Sequence, residues 1–221
     1  MSAIARSSWH TGLGPGRRIV SLWFRVLAGL GLYRRLVLLE RSLENPIPEI
    51  PAVEGAQGVA LTPEDVDAYL QLRPDQDRAL FMRRLAAGHW CFATRQGGRV
   101  VSASWLARGV YPIDFLGRSL PLAPDEASVY DLYTAPDQRR RGATDPRAVA
   151  LMRAAHQAGY RRLLAAVLPE NEAGLGSPRR FGYHPIGVVG FVGLGRWRRH
   201  FCRVHPVERR PGVPHPVPRT P

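Results

Sequence analysis

The sequence predicts an α/β chain in which a mixed sheet of about six to seven strands is flanked by helices and preceded by a helical extension. Three observations predict it. Apolar runs of strand length alternate with helix-start signals through the middle of the chain. The stretch 127–168 reads strand, loop, helix, strand, the pattern of a right-handed parallel crossover. Ahead of it, "HWCFATR" and "RVVSASWLA" are joined by "QGG", which is hairpin chemistry.

From the N-terminus, residues 1–17 carry Gly and Ser and read as a flexible lead. Residues 18–45 read as an amphipathic helix, with apolar residues at Ile19, Leu22, Trp23, Val26, Leu27, Leu30, Tyr33, Leu36 and Val37 and arginines between them. The run is too short and too charged for a membrane span. Two placements fit the stripe: an anionic membrane surface, or the protein's own core or a second subunit as in a homodimer. Residues 46–56 are a Pro-rich linker. Val59–Leu61 is a short strand. Thr62 caps a helix that opens with Pro63 and acids, and "PDQDRALFMRRLAAG" repeats the device and stops at Gly88. After the hairpin, 108–124 is irregular, a loose hairpin turning at Gly117. "ASVYDLYT" is a strand, a helix follows from about Asp145 to Ala158, and "RRLLAAVL" is a buried strand. A short helix starting at Ser177-Pro178 and two further strands complete the order. The tail 205–221 is Pro-rich and builds no core.

The chain has 221 residues and a formal charge of +13, from 31 basic residues against 18 acidic ones. Every basic residue is arginine, and with 22 Gly and 20 Pro this is the mark of a GC-rich coding bias. The surplus favours anionic partners. "GRWRRHFCRV" lies on a strand without a reading helix, so a nucleic-acid partner is not expected. The two cysteines, Cys91 and Cys202, sit in apolar surroundings without metal-ligand spacing and read as buried thiols of a cytoplasmic protein. No metal is expected, since none of the histidines shares a ligand spacing with another.

The segment "APDQRRRGATDPRAVALM" carries the chemistry. A helix that begins after a Gly-bearing turn exposes unpaired N–H groups and the positive end of its dipole, an anion site. Gly142 lets the backbone approach a ligand, and Arg139, Arg140 and Arg141 add charge. Walker and dinucleotide motifs are absent, and spacing alone leaves a phosphate cradle and an ordinary arginine-rich turn equally open.

The stretch from "VYDLYT" through "RRFGYHPIG" resembles the core of the GNAT superfamily of acyl-CoA-dependent N-acyltransferases. The resemblance covers about residues 57–204, read as the acyltransferase domain. It rests on a [QR]-x-x-G-x-[GA] loop at Arg139–Thr144, on Asn171 after the next strand, and on "RRFGY". It implies acetyl-CoA or another acyl-CoA as co-substrate. The loop amides of Arg139, Arg140, Arg141, Gly142, Ala143 and Thr144 would hold the pyrophosphate. Leu132, Tyr133 and Thr134 would meet the pantetheine and thioester, and Asn171 the coenzyme nearby. The acceptor would be an amine, small or peptide-borne. Asp131 and Glu126 are the candidate bases. The chain departs from the family at Thr144, where Gly or Ala is usual, and at Pro178, where a tyrosine often acts as acid; Tyr183 and Tyr133 are the substitutes. The alternative is an acyl-CoA-binding regulatory module with little or no turnover, in the cytoplasm or at the inner membrane face.

Overall fold

The computed structural model describes Leu30 and residues 32–49, 51, 53–193 and 197–204. One sheet of eight strands dominates, in the order β10-β9-β1-β8-β7-β4-β3-β2. Its strands are β1 (Tyr33–Ser42), β2 (Ala56–Leu61), β3 (Trp90–Gln96), β4 (Arg99–Arg108), β7 (Glu126–Thr134), β8 (Arg162–Val167), β9 (His184–Val192) and β10 (Arg199–Val204). A separate hairpin pairs β5 (Val110–Ile113) with β6 (Arg118–Pro121) across the turn that Gly117 closes. Only β7 and β8 run parallel; every other neighbouring pair in the sheet is antiparallel.

The helices are α1 (Val66–Leu72), α2 (Arg78–Ala86), α3 (Asp145–Gln157) and α4 (Glu172–Arg180). Thr62 and Asp65 form a capping box ahead of α1, and the Asp77 carboxylate accepts the Leu80 N–H at the start of α2. α1, α2 and the small hairpin cover one face, where Tyr69, Phe81 and Trp105 meet edge to face or tilted. α3 covers the other face, packing Leu151, Met152 and Ala155 against Phe92, Leu106 and Leu163. β7, α3 and β8 form the expected crossover.

Three expectations need correction. The helix predicted over 18–45 is a strand over its last part, for Tyr33–Ser42 is β1, paired to β8 on one side and β9 on the other. Leu43, Glu44 and Asn45 follow it as a turn, and the part before it falls outside the described residues apart from Leu30 and Leu32. A strand buried on both faces carries no polar alternation, so "RRLVLLE" satisfies either periodicity. Leu36 and Leu38 enter one core while Leu39 enters the other, so these residues present no stripe to a membrane or a partner. The main sheet therefore has more strands than expected and begins well before residue 57. Second, α4 begins at Glu172, capped by Asn171, and Pro178 sits inside it rather than opening it. Third, Cys91 is buried as expected, but Cys202 is exposed on the edge strand β10. Among the described residues no helix is long and apolar enough to cross a membrane.

The Pro-rich linker crosses α3 on its way from β1 to β2. Pro48, Glu49, Pro51 and Val53 face Pro146, Val149, Ala150 and Arg153 across an open cleft of about 510 Å³. β2 and the first turn of α3 touch at Gly58, where an added Cβ would stand 2.0 Å from the Pro146 carbonyl oxygen. Gly58→Ala is therefore expected to push α3 off the sheet and cost about 1–3 kcal/mol, read as a fall in Tm by calorimetry. An unchanged Tm would show that the contact yields without cost.

Candidate functional site

The site is built where β7 leaves β8. Their parallel pairing runs from Glu126 opposite Arg162 to Val129 opposite Ala165 and goes no further. On the other side of β7, Tyr130 pairs with Trp105 and Tyr133 with Ala103, so Asp131 and Leu132 together face Ser104 alone. That is a β-bulge, with Asp131 at a left-handed φ of 50°. The bulge turns the end of β7 away from β8, and a wedge opens between the strands. Tyr111 of β5 reaches the Ala166 backbone from the α1–α2 face, just beyond the last pair. Leu132, Tyr133 and Thr134 lie beyond the last β7–β8 pair. The Leu132 side chain is exposed, Tyr133 stacks on the Arg73 guanidinium, and the Thr134 hydroxyl meets Ser102 at 3.1 Å.

The loop after β7 leads to α3. A 3-10 turn spans Pro136–Gln138, Arg139 donates through Nε to the Thr134 carbonyl, and the side chains of Arg139, Arg140 and Arg141 are exposed. Arg140 and Gly142 both have left-handed φ, 64° and 76°. Gly142 is the residue type such a turn requires; Arg140 adopts the same conformation at a cost, a common property of ligand-facing loops. Among the described residues, no amide from Arg140 to Thr144 donates a normal hydrogen bond. Those N–H groups, with the α3 dipole behind them, form a concave donor surface suited to a phosphate. Asp145, the first residue of α3, is buried, and its carboxylate is held by Arg180 at 2.8 and 3.1 Å and by the Thr144 hydroxyl at 3.0 Å. Arg180 thus ties α4 to the N-terminus of α3. Ala143 is buried in the turn.

Under the wedge on the α3 face lies a cavity of about 40 Å³. Val129 and Leu132 of β7, Arg147 and Leu151 of α3, Pro178 of α4 and Tyr183 line it, among others. Tyr183 is buried, and burial pushes its phenol up although Arg147 and Arg41 pull the other way. A neutral Tyr183 hydroxyl at the cavity is in place to donate a proton or hydrogen bond. Pro178, where the family tyrosine would stand, lines the same cavity and carries no donor. Asn171 sits at the N-cap of α4, its Oδ1 accepting the Gly174 N–H at 2.8 Å.

The candidate bases fare differently from expectation. Asp131 lies at the bulge, but Arg73 reaches its carboxylate at 2.6 Å, Arg84 at 2.5 Å and Gln76 Nε2 at 2.9 Å. Burial works to raise its pKa, yet the hydrogen bonds from Arg73, Gln76 and Arg84 hold it below the ordinary aspartate value. A carboxylate so stabilised is a poor proton acceptor. Its role is to anchor α1 and α2 on the bulge. Glu126 stands at the other end of β7, away from the wedge, where Arg162 bridges it to Glu40 at 2.5 Å each. Glu126 is thus tied up in an ion-pair bridge at the end of β7 remote from the wedge.

Sequence reasoning missed one proton acceptor. His89 Nδ1 lies 2.5 Å from the Tyr130 hydroxyl, the residue just before the bulge. Burial and the cations Arg84 and Arg108 lower the His89 pKa, so the imidazole is neutral at pH 7. Only the pairing of Tyr130 with Trp105, and the turn ending at Gly88, bring it there. No sequence signal marked it beyond its place at the start of a strand.

No protein-family model matches the chain, and neither does any curated relative. Solved structures do match in shape. A GCN5-related N-acetyltransferase from Kribbella flavida is 19% identical, with a TM-score of 0.52 over 77% of this chain and 63% of that one. A Drosophila protein is 17% identical, with a TM-score of 0.50 over 84% of this chain and 59% of that one. The chain therefore spans less than two thirds of either neighbour's length. With the splayed parallel pair and the crossover loop in place, the likeness is one of architecture: this chain has the fold of the GCN5-related N-acetyltransferases.

Proposed function

We propose that this protein binds an acyl-CoA and transfers its acyl group to an amine. The observation that carries the reading is the run of unengaged loop amides from Arg140 to Thr144, set at the N-terminus of α3 and beside the wedge between β7 and β8. The pyrophosphate would rest on those amides, with Arg139, Arg140 and Arg141 adding charge from solvent. The pantetheine would enter the wedge, where the edge of β7 that β8 leaves unpaired, around Leu132 to Thr134, would pair with its amides and polarise the thioester carbonyl. The amine nitrogen would attack that carbonyl, the C–S bond would break, and the thiolate would leave with the bonding electron pair. The ammonium must lose a proton first, and the neutral His89–Tyr130 pair beside the bulge is a better acceptor than Asp131. The Tyr183 hydroxyl, which lines the cavity together with Pro178, would protonate the thiolate.

A second reading is a coenzyme-binding module without turnover. It is favoured by one observation, the consumption of the Asp131 carboxylate by Arg73, Gln76 and Arg84. Acetyl-CoA is expected to raise Tm by several degrees at concentrations far above Kd, and a panel of amines is then expected to release free thiol. Stabilisation without thiol release selects the module. Absence of stabilisation by any acyl-CoA and by coenzyme A refutes both readings.

A further inference from the structure

Arg147 is 2% exposed, on the first turn of α3. Its backbone N–H is pinned to the buried Thr94 hydroxyl at 3.1 Å, so its place against the sheet is set. Its guanidinium has no hydrogen bond or ion pair among the described residues, and its buried Nε is unsatisfied. The carboxylate two residues away, Asp145, is spent on Arg180 and Thr144. Burial lowers the Arg147 pKa to about 10, which still leaves it charged at pH 7. A buried cation without a counter-ion costs folding free energy, and proteins rarely keep one without a use.

The use is indicated by where the side chain lies. Arg147 lines the cavity beneath the wedge together with the hydroxyl-bearing Ser177 and Tyr183, in an otherwise apolar wall that includes Val129, Leu132 and Leu151. The cavity of about 40 Å³ holds a group of a few heavy atoms, since one water needs about 10–15 Å³ by the same measure. A planar guanidinium fork in a cavity that two hydroxyl-bearing side chains also line suits a carboxylate, which offers two oxygens and several lone pairs. A thiolate would use fewer of those donors.

We infer that Arg147 is a specificity residue that pairs with the terminal carboxylate of a dicarboxylic acyl group, so that the favoured thioester is of the malonyl or succinyl class rather than acetyl. The inference rests on the acyl-CoA reading above. Leu132 connects the two, since it belongs both to the diverging end of β7 and to the cavity wall.

Binding of succinyl-CoA, of its uncharged counterpart butyryl-CoA, of acetyl-CoA and of free coenzyme A is measured by titration calorimetry on the wild-type protein and on Arg147→Met and Arg147→Lys. The wild type is expected to prefer succinyl-CoA over butyryl-CoA by at least about thirtyfold, the scale of a buried charge pair. Arg147→Met is expected to abolish that preference while keeping acetyl-CoA binding, and Arg147→Lys to restore part of it. The ligand-free Arg147→Met protein is expected to melt at least about 3 °C higher, because the unpaired charge is gone. Equal affinity for succinyl-CoA and butyryl-CoA overturns the inference and leaves the acyl-CoA reading standing. So does a preference that survives Arg147→Met, or a free coenzyme A affinity that falls as much as that of succinyl-CoA. A lower Tm for ligand-free Arg147→Met also overturns it, since the charge would then be already compensated. Failure of every thioester and of coenzyme A to bind removes the acyl-CoA reading itself and this inference with it.

Discussion

Gly142→Glu is expected to abolish the stabilisation by acetyl-CoA and to weaken its binding at least about a hundredfold. Two effects act together. The new carboxylate would face the pyrophosphate across the loop amides, and like charges so placed cost several kcal/mol. At a φ of 76° any side chain but glycine is strained, and a Cβ would already stand 3.3 Å from the Val53 methyl of the linker. Gly142→Asn separates the two, because asparagine tolerates the left-handed conformation and brings no charge. It is expected to lose stability modestly and keep most of its affinity. Calorimetric titration with acetyl-CoA, beside the ligand-free Tm of both variants, is the measurement. Wild-type affinity in Gly142→Glu would place the coenzyme elsewhere.

The largest effect on stability is expected from Asp131→Ala. The carboxylate is the shared partner of Arg73 and Arg84, each close to fully buried, so its removal leaves Arg73 to the exposed Asp75 and Arg84 without its close counter-ion. Breaking such a buried pair costs about 3–5 kcal/mol, here a fall in Tm of about 10 °C or more. The same group sets an acid limit. Its folded pKa lies below the ordinary value, so its stabilising contribution is complete at neutral pH. That contribution is lost as pH falls through the ordinary aspartate value of about 3.9 towards the lower folded one. Tm measured between neutral and acid pH should therefore drop more steeply for the wild type than for Asp131→Ala. Parallel curves would mean that other carboxylates dominate acid unfolding.

Local chemistry made much of the molecule legible. Thr62, Pro63 and Asp65 announce α1 because capping is a contact between near neighbours. The glycine turn between β3 and β4 and the helix start at Asp145-Pro146 are equally local. Gly142 stood out because a tight turn before a helix needs its conformation. What stayed hidden depends on distant partners. Asp131 is visible as an acid on a strand, but the arginines that take its charge come from the end of α1, at Arg73, and from α2, at Arg84. Glu126 looks like a free carboxylate until the crossover brings Arg162 beside it. Arg147 is one arginine among many, and only burial without a side-chain partner among the described residues distinguishes it. β1 was misread because apolar residues at 36–39 serve a helix face and a doubly covered strand equally well.

The placement of β1 also bears on how the chain assembles. Tyr33 pairs with Val192 and Val37 with Val167, so β1 has partners that are made well over a hundred residues later. Contacts so far apart in sequence form late and slowly. Until β8 exists, β1 is an unpaired apolar segment, and until β9 follows, the other edge of β1 is open to other chains. A fragment starting at residue 46 would be a sheet cut in two, with β8 and β9 bare where β1 belongs. Its expected fate on expression is aggregation, and the refolding rate of the whole protein should be set by the entry of that strand.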